Sequence, residues 1–375
     1  MPVRATKRGT ARTPLHGDVD VLICGASFAG LAVARELRGS GARVLVLDRY
    51  DIGERATSAC GIPTVWLSAL GLQRAQRQSF SELVVHTPDA SVRFGLPWSF
   101  STFDYHGLCA DLFAQCDAAF EHATVRRREQ DVVVTDRGGL RAPLIVDALG
   151  WRRTLGTGEN VQPPEAFLSR GLEVHPGGSG PDMEIWIDRG YVRAGYGWSF
   201  PAAGELRIGV GSFAPRDHVR EPTARLAADL DAEAIRYQGN WIPHKLRPPV
   251  EDGIAFVGDS AGHCLPLTAE GIRPALYFGI ALGRELRAVV EGRSTKAAAH
   301  ARYGGFHAAH LWHFTWMLRV QNLIPRLPPS GLAGGLRAMR ARTVSDWAFE
   351  HYLEICHPRI VGEARSPTTA RLAAA

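Results

Sequence analysis

Lysine is nearly missing from this 375-residue chain: Lys7, Lys245 and Lys296 are the only ones, and arginine carries the remaining positive charge. Any chemistry that needs a lysine amine between Lys7 and Lys245 is therefore excluded. The six cysteines (Cys24, Cys60, Cys109, Cys116, Cys264, Cys356) form no CxxC pair, which argues against a zinc site and a disulfide framework and suits a reducing cytoplasm. No apolar run reaches the roughly eighteen residues of a membrane-crossing helix, so the chain is expected to be cytoplasmic, soluble or peripheral. The net charge of +5 is modest, and part of it sits on Arg4, Lys7, Arg8 and Arg12. Residues 1–17 mix those charges with Thr, Pro and Gly and read as a disordered basic leader without the apolar core of a secretory signal. No basic patch interleaved with aromatics points to nucleic acid. With 45% hydrophobic and 22% charged residues, the remainder is ordinary globular sequence, long enough for two or three domains.

What is present begins with Asp18 to Asp48. An apolar run at Val21 to Cys24 reads as a strand buried on both faces. It enters the turn Gly25-Ala26-Ser27-Phe28-Ala29-Gly30, and an Ala/Leu-rich helix runs on to about Arg38. A second strand delivers Asp48, followed by Arg49. This is a βαβ unit with a glycine turn and a terminal acid in register. The turn's N–H groups and the helix N-terminus suit a pyrophosphate, and Asp48 suits a ribose hydroxyl. Ser27 stands where such turns usually carry their middle glycine.

Further along, residues 81–96 read as a hairpin, Asp104 to Ala118 as a helix and Pro143 to Gly150 as another buried strand. From about 167 to 213 the pattern alternates, as an antiparallel sheet does. Gly209-Val210-Gly211-Ser212-Phe213-Ala214 imitates a second glycine fingerprint, but Pro215 follows at once and leaves no helix to hold a phosphate. It reads as a strand end. A strand at Gly253 to Val257 ends in Gly258-Asp259, and Glu270-Gly271-Ile272 opens a helix to about Glu291. Residues 297–360 are helical and aromatic-rich. His307, His310 and His313 share no single helix face, so packing is preferred to metal binding and no metal site is assigned. The expected domains are a discontinuous nucleotide-binding part (18–70, 100–160, 250–292) and a substrate part (71–99, 161–249). A helical region (293–362) and a disordered tail (363–375) follow.

Three separated pieces suit one ligand. The first turn with Asp48 fits an ADP moiety, Asp259 fits a polyol chain, and the N-terminus behind Gly271 and Ile272 fits a ring that develops negative charge. Adenosine, ribityl chain and isoalloxazine make up FAD. Gly258 to Gly262, Pro266 to Ile272, the Tyr-x-Trp-x-Phe-Pro at Tyr196, Trp198, Phe200 and Pro201, and Cys60-Gly61 together resemble the geranylgeranyl reductase branch of the p-hydroxybenzoate-hydroxylase-type flavoproteins. The resemblance spans roughly 18 to 290. It implies an α/β fold in which a Rossmann-like FAD-binding domain with a parallel sheet carries an inserted antiparallel-sheet substrate domain, then C-terminal helices. It also implies FAD held by Gly25, Ser27, Phe28, Ala29, Gly30, Asp48, Arg49, Gly258, Asp259, Gly271 and Ile272.

The activity implied is reduction of C=C bonds in a prenyl or other apolar small molecule, with NADPH or another donor as reductant. Tyr196, Trp198 and Phe200 are then substrate-binding, and Cys60, Tyr196 and Trp198 are the catalytic candidates. From the residues alone, Cys60 suits a tight structural loop as well as a thiol facing the ligand, and Trp198 and Phe200 suit plain strand core as well as a cavity wall. Two departures concern flavin and reductant handling: Leu149 stands where relatives commonly place an aspartate, and Phe100 and Ser101 stand where an arginine is often found. An FAD-dependent monooxygenase and a flavin-free prenyl-lipid carrier remain as alternatives. A halogenase is disfavoured by Tyr196 in place of tryptophan and by the missing lysine. Peripheral membrane contact through the aromatic C-terminal helices fits a lipid substrate; oligomeric state is not legible.

Overall fold

The computed structural model describes residues 13–56, 58–157, 163, 165–166 and 168–362. Two sheets organise it. A six-stranded sheet has the order β16 (Val250–Glu251), β17 (Ile254–Phe256), β10 (Leu144–Asp147), β1 (Val21–Cys24), β2 (Val44–Asp48), β6 (Ala119–His122). All neighbours are parallel except β16 with β17. Val21 to Cys24 are fully buried, as a central parallel strand covered on both faces requires.

The second sheet has eight strands. Its order is β15 (Gln238–Pro243), β11 (Leu168–Val174), β14 (Leu206–Ser212), β13 (Gly195–Pro201), β12 (Met183–Trp186), β4 (Gln76–Thr87), β5 (Ala90–Phe103), β3 (Gly61–Pro63). It is antiparallel apart from β12 with β4. Gly61–Pro63 and the far end of β5 join this sheet although the sequence reading put them in the nucleotide-binding part. The hairpin also outruns its expected 81–96. Pro97 hid this, but it sits where the register of β4 and β5 shifts between Phe80 and Glu82, so its missing N–H interrupts no paired rung. A three-stranded sheet, β7 (Val125–Glu129), β8 (Val132–Thr135) and β9 (Gly138–Arg141), stands apart.

The helices are α1 (Phe28–Glu36), α2 (Thr64–Leu70), α3 (Tyr105–Phe113), α4 (Arg220–Asp229), α5 (Ile272–Val290), α6 (Lys296–Ala309), α7 (Leu311–Leu323), α8 (Pro329–Met339), α9 (Arg342–Glu354) and α10 (Arg359–Gly362). α3 stops short of the expected Ala118. Helices α1 and α5 pack almost backbone to backbone: a Cβ on Gly279 would lie 2.7 Å from that of Ala32, and one on Gly283 2.7 Å from that of Glu36. That approach sets the N-terminus of α5 beside the first glycine turn. The buried pair Arg284–Glu36 at 3.2 Å lies in the same seam.

Residues 13–17, expected to be part of a disordered leader, are tied down. Leu15 N–H donates to the Arg137 carbonyl at 2.6 Å, and Arg137 Nε donates to the Thr13 carbonyl at 3.0 Å. The rest of that leader and the expected disordered tail lie outside the described residues. His307 packs against His263, with Nδ1 and Nε2 3.0 Å apart, and His263 stacks on Phe278 with centroids at 3.8 Å. His313 is exposed.

Candidate active site

A cavity of about 1660 Å³ runs from the C-terminal edge of the parallel sheet to the inner face of the antiparallel sheet. A pocket for one small ligand is usually about 300–1,000 Å³, so this one has room for a dinucleotide and a second molecule together.

At the nucleotide end the chain closes on itself tightly. Gly25 has φ +114°, and a Cβ there would lie 2.2 Å from the Ala148 carbonyl oxygen. A Cβ on Gly30 would lie 1.9 Å from the Gly25 carbonyl oxygen. These two glycines let strand, turn and helix meet, and neither lines the cavity; Ala26, Ser27, Phe28 and Ala29 do. Ser27 precedes α1 but caps it with no side-chain bond, because its hydroxyl pairs with Tyr105 Oη at 2.8 Å. The N-terminus of α1 is thus left to a ligand. Asp48 Oδ2 accepts from Ala26 N at 2.9 Å and Oδ1 from Tyr50 N at 3.1 Å, which fixes the carboxylate at the lip. Burial raises its pKa above the usual carboxylate value. Arg49 lines the cavity with Arg126 and Arg152, cations that the sequence reading did not single out.

Gly258 and Asp259 line the middle of the cavity. Burial pushes the Asp259 carboxyl up to about 6, with Arg247 partly offsetting it. The carboxylate is half-buried at the cavity wall and makes no hydrogen bond to the described residues. That orphaned acceptor, the two helix N-termini without side-chain caps at α1 and α5, and the length of the cavity fit a dinucleotide with a polyol middle such as FAD. Asp147, by contrast, is spent inside the protein: it accepts from Leu149 N, Leu155 N and Ser260 Oγ. Leu149 therefore keeps the turn's backbone bond but presents no carboxylate to the cavity it lines.

The loop before α5 carries two strained residues, Leu267 at φ +70° and Ala269 at φ +52°. It is gripped from three sides. Tyr196 Oη donates to the Thr268 carbonyl at 2.6 Å, Leu267 N donates to Gln321 Oε1 at 2.8 Å, and Tyr352 donates to Glu270. Arg273 holds the same glutamate at 2.8 Å. Gln321 and Tyr352 were missed by sequence reasoning because they lie far from the loop in the chain; Arg273 was missed although it follows Glu270 by three residues.

The far wall is the antiparallel sheet. Leu83, Val85, Phe94, Met183, Ile185, Trp198 and Phe200 face the cavity, and Leu336, Met339 and Phe349 of α8 and α9 close it from the other side. Trp198 pairs with Gly209 across β13 and β14, and Gly209 with Glu173 across β14 and β11. A Cβ on Gly209 would sit 2.2 Å from Trp198 Cζ2, so the glycine is what lets the indole lie across β14. Trp198 Nε1 then donates to Glu173 Oε2 at 3.2 Å. This is the reason for the glycines that imitated a second fingerprint.

The cavity thus brings together Ser27, Phe28, Ala29, Asp48, Arg49, Tyr196, Trp198, Phe200, Gly258, Asp259, Gly271 and Ile272. Cys60 is not among its lining residues, although Ala59 and Gly61 are. Its thiol donates to the Ser58 carbonyl at 3.1 Å, is buried, and is pushed up to about 12 by that burial. Of the two readings the sequence left open for Cys60, the geometry fits the structural one, with the thiol turned from this cavity and against a second, smaller one. Burial likewise raises the Tyr196 hydroxyl.

No protein-family model matches the chain. It is 25% identical over 326 residues, 76% of this chain and 81% of the relative, to digeranylgeranylglycerophospholipid reductase 2 of Methanopyrus kandleri. It is 34% identical over 104 residues, 26% of this chain, to the chloroplastic geranylgeranyl diphosphate reductase of Nicotiana tabacum, a match spanning only 22% of that protein. Among solved structures, a geranylgeranyl bacteriochlorophyll reductase-like protein of Thermoplasma acidophilum superposes with a TM-score of 0.78 at 16% identity, over 92% of this chain and 98% of the other. PqsL of Pseudomonas aeruginosa, described as a probable FAD-dependent monooxygenase, gives 0.66 at 19% identity over 85% and 99%. At these identities the two structures speak for the fold alone.

Proposed function

We propose that this chain is a geranylgeranyl-reductase-like FAD-dependent oxidoreductase that reduces C=C bonds in a prenyl or similarly elongated apolar small molecule. The observation that carries this reading is the continuity of the cavity, in which a polar nucleotide end opens onto an apolar sheet face roofed by helices. The names of the relatives in Methanopyrus and Nicotiana support it. A flavin-free carrier would have no use for the unpartnered carboxylate of Asp259.

Bound and reduced, FAD supplies hydride. The chain's own residues do the rest. With FAD bound, Asp48 would receive the ribose and Asp259 the ribityl hydroxyls. The N-terminus of α5, steadied by the clamp on its preceding loop, would face the ring. Trp198 and Phe200 form the sheet face on which the substrate chain would lie. Leu336, Met339 and Phe349 keep water from it. Tyr196, whose proton is committed to Thr268, positions the loop. Reducing equivalents come from NADPH or another electron donor.

A lipid substrate calls for access from a membrane. No helix among the described residues is long and apolar enough to cross one. Trp312 (63% exposed) and Trp316 (49%) on α7 and Trp347 (58%) on α9 are the anchors of a peripheral contact. No Asp or Glu occurs between Glu291 and Asp346, which suits an anionic lipid surface.

The test is anaerobic. Reduced protein mixed with geranylgeranyl diphosphate should lose its reduced-flavin spectrum at a rate that rises with substrate concentration. No reoxidation by this or other polyprenyl alkenes would overturn the reading.

A further inference from the structure

A flavin that hands a hydride to its substrate has to be reduced again, and the apolar wall at Trp198 offers no hold to a donor. The cavity has a second, cationic lobe. Where β11 begins and β14 and β15 end, it is lined by Arg170, Ser212 and Trp241. Trp151 and Arg152 join them from the turn after β10, and Arg220 from the start of α4. Four of these side chains touch in series. Arg152 lies over the Trp151 ring at 5.0 Å, Trp151 meets Trp241 edge-on with centroids 6.3 Å apart, and Arg170 lies over the Trp241 ring at 4.8 Å.

No carboxylate pairs with Arg152, Arg170 or Arg220 among the described residues. Arg170 gives one N–H to the Asp217 carbonyl at 3.2 Å, which leaves most of a guanidinium's five donors unused. The Asp217 carboxylate is itself taken by Ser212 Oγ at 2.6 Å. Like charges gathered in a cleft without a counter-charge draw in an anionic ligand. The two indoles add flat apolar faces, which suit a ligand that carries aromatic rings as well as phosphate.

This lobe is separate from the wall given to the substrate. Arg170 pairs with Ser212 and Trp241, whereas Trp198 pairs with Gly209, and Gly209 with Glu173. Arg170 and Glu173 are three residues apart on one strand, so they project from opposite faces of the sheet. A chain lying on Trp198 and Phe200 therefore does not run along Arg170. The lobe does adjoin the middle of the FAD site. Trp151 follows Gly150 directly, and Arg247, whose charge acts on Asp259, donates to the Trp151 carbonyl at 2.6 Å.

We propose that this lobe docks the electron donor, a phosphorylated pyridine dinucleotide of the NADPH type, with the guanidiniums on its phosphates and the indoles against its rings. The proposal rests on the FAD-dependent reading and deepens it. Three guanidiniums exceed the two charges of a pyrophosphate, which suits the dinucleotide with a further phosphate over NADH. The balance is that of a hydride transfer. The C–H bond at nicotinamide C4 breaks, its electron pair and hydrogen go to oxidised flavin, the flavin takes one proton from water, and the nucleotide leaves as NADP⁺.

The experiment uses the full chain with FAD bound and no alkene present. Titration calorimetry with NADP⁺, which binds without reacting, reads the site apart from turnover. Arg152→Gln, Arg170→Gln and Arg220→Gln should each keep the flavin spectrum and weaken NADP⁺ about tenfold or more, as the loss of a bond to a charged group does. Arg152 and Arg220 are exposed, so those two variants decide alone if Arg170→Gln fails to fold. Arg74→Gln, which removes an exposed charge paired with Asp111, should bind as wild type does. Anaerobic NADPH should bleach the wild-type flavin at lower concentration than NADH. A wild type that holds FAD but binds no NADP⁺ overturns the proposal. Arginine variants that bind NADP⁺ as tightly as wild type overturn it too, as does Arg74→Gln weakened to the same degree. Variants that lose affinity for geranylgeranyl diphosphate and keep it for NADP⁺ would assign the lobe to the substrate's phosphates instead. A wild type that holds no FAD removes the flavoenzyme reading itself, a different result from any of these.

Discussion

Gly209→Ala should destabilise the protein although it adds one methyl group to a strand, where alanine ordinarily gains about 0.5–1 kcal/mol over glycine. The new Cβ would lie 2.2 Å from Trp198 Cζ2, 2.5 Å from Cε2 and 2.8 Å from Glu173 Cβ, and none of these atoms is the free end of a flexible chain. The indole must leave the face of β14, which gives up its bond to Glu173 at 3.2 Å. Overpacking a filled site costs about 1–3 kcal/mol, and losing a hydrogen bond to a charged group about 1.5–3 kcal/mol, so a net loss of about 3 kcal/mol is expected. Urea unfolding of the flavin-free protein followed by circular dichroism reads this as a lower midpoint at unchanged slope. The decisive comparison is a double-mutant cycle with Trp198→Phe, because the smaller ring leaves room for the methyl group. The cost of Gly209→Ala should fall by about 2 kcal/mol in that background. Gly211→Ala, whose Cβ would meet Trp198 Cζ3 at 3.4 Å, should cost far less. Equal cost of Gly209→Ala in both backgrounds would refute the idea that this glycine exists to seat the indole.

Other expectations follow from the same geometry. Asp259→Asn should weaken FAD binding, read as flavin content after gel filtration, yet stabilise the flavin-free protein at pH 8. Its folded pKa of about 6 lies above the ordinary aspartate value of 3.8, so the wild type carries the penalty of a desolvated charge above about pH 6 and none below pH 3.8. The gain should disappear below that lower value. Cys60→Ala should retain flavin, rate and product, since the thiol faces away from the cavity; a changed product would restore the catalytic role expected from the sequence. Replacing Trp312, Trp316 and Trp347 together by serine should abolish sedimentation with phosphatidylglycerol vesicles and leave flavin content intact, whereas sedimentation unchanged by the substitutions would place any lipid contact elsewhere.

The legible parts of this fold were those whose chemistry is contiguous in the chain. Val21 to Asp48 announces strand, glycine turn, helix and acid within one stretch, and Gly258-Asp259 lies directly at a strand end. Contacts across strands were not legible. Gly209 carries the letters of a phosphate-binding turn, but its reason is an indole on the neighbouring strand, and Glu173 gains its meaning only from that pairing. The strained loop at Leu267 and Ala269 looks unremarkable in sequence because the groups that hold it, Gln321 and Tyr352, come from helices much later in the chain. Cys60 shows the opposite case: its motif is legible in sequence, but which cavity its side chain faces is not.

The most direct measurement compares product formation with and without oxygen. The protein, fully reduced under anaerobic conditions, is given one equivalent of geranylgeranyl diphosphate, and the product is analysed by mass spectrometry. A flavin reoxidised without oxygen and a product heavier by two hydrogens is the predicted result. Turnover that appears only when oxygen is admitted, with an oxygen atom in the product, would contradict it and make the chain a monooxygenase.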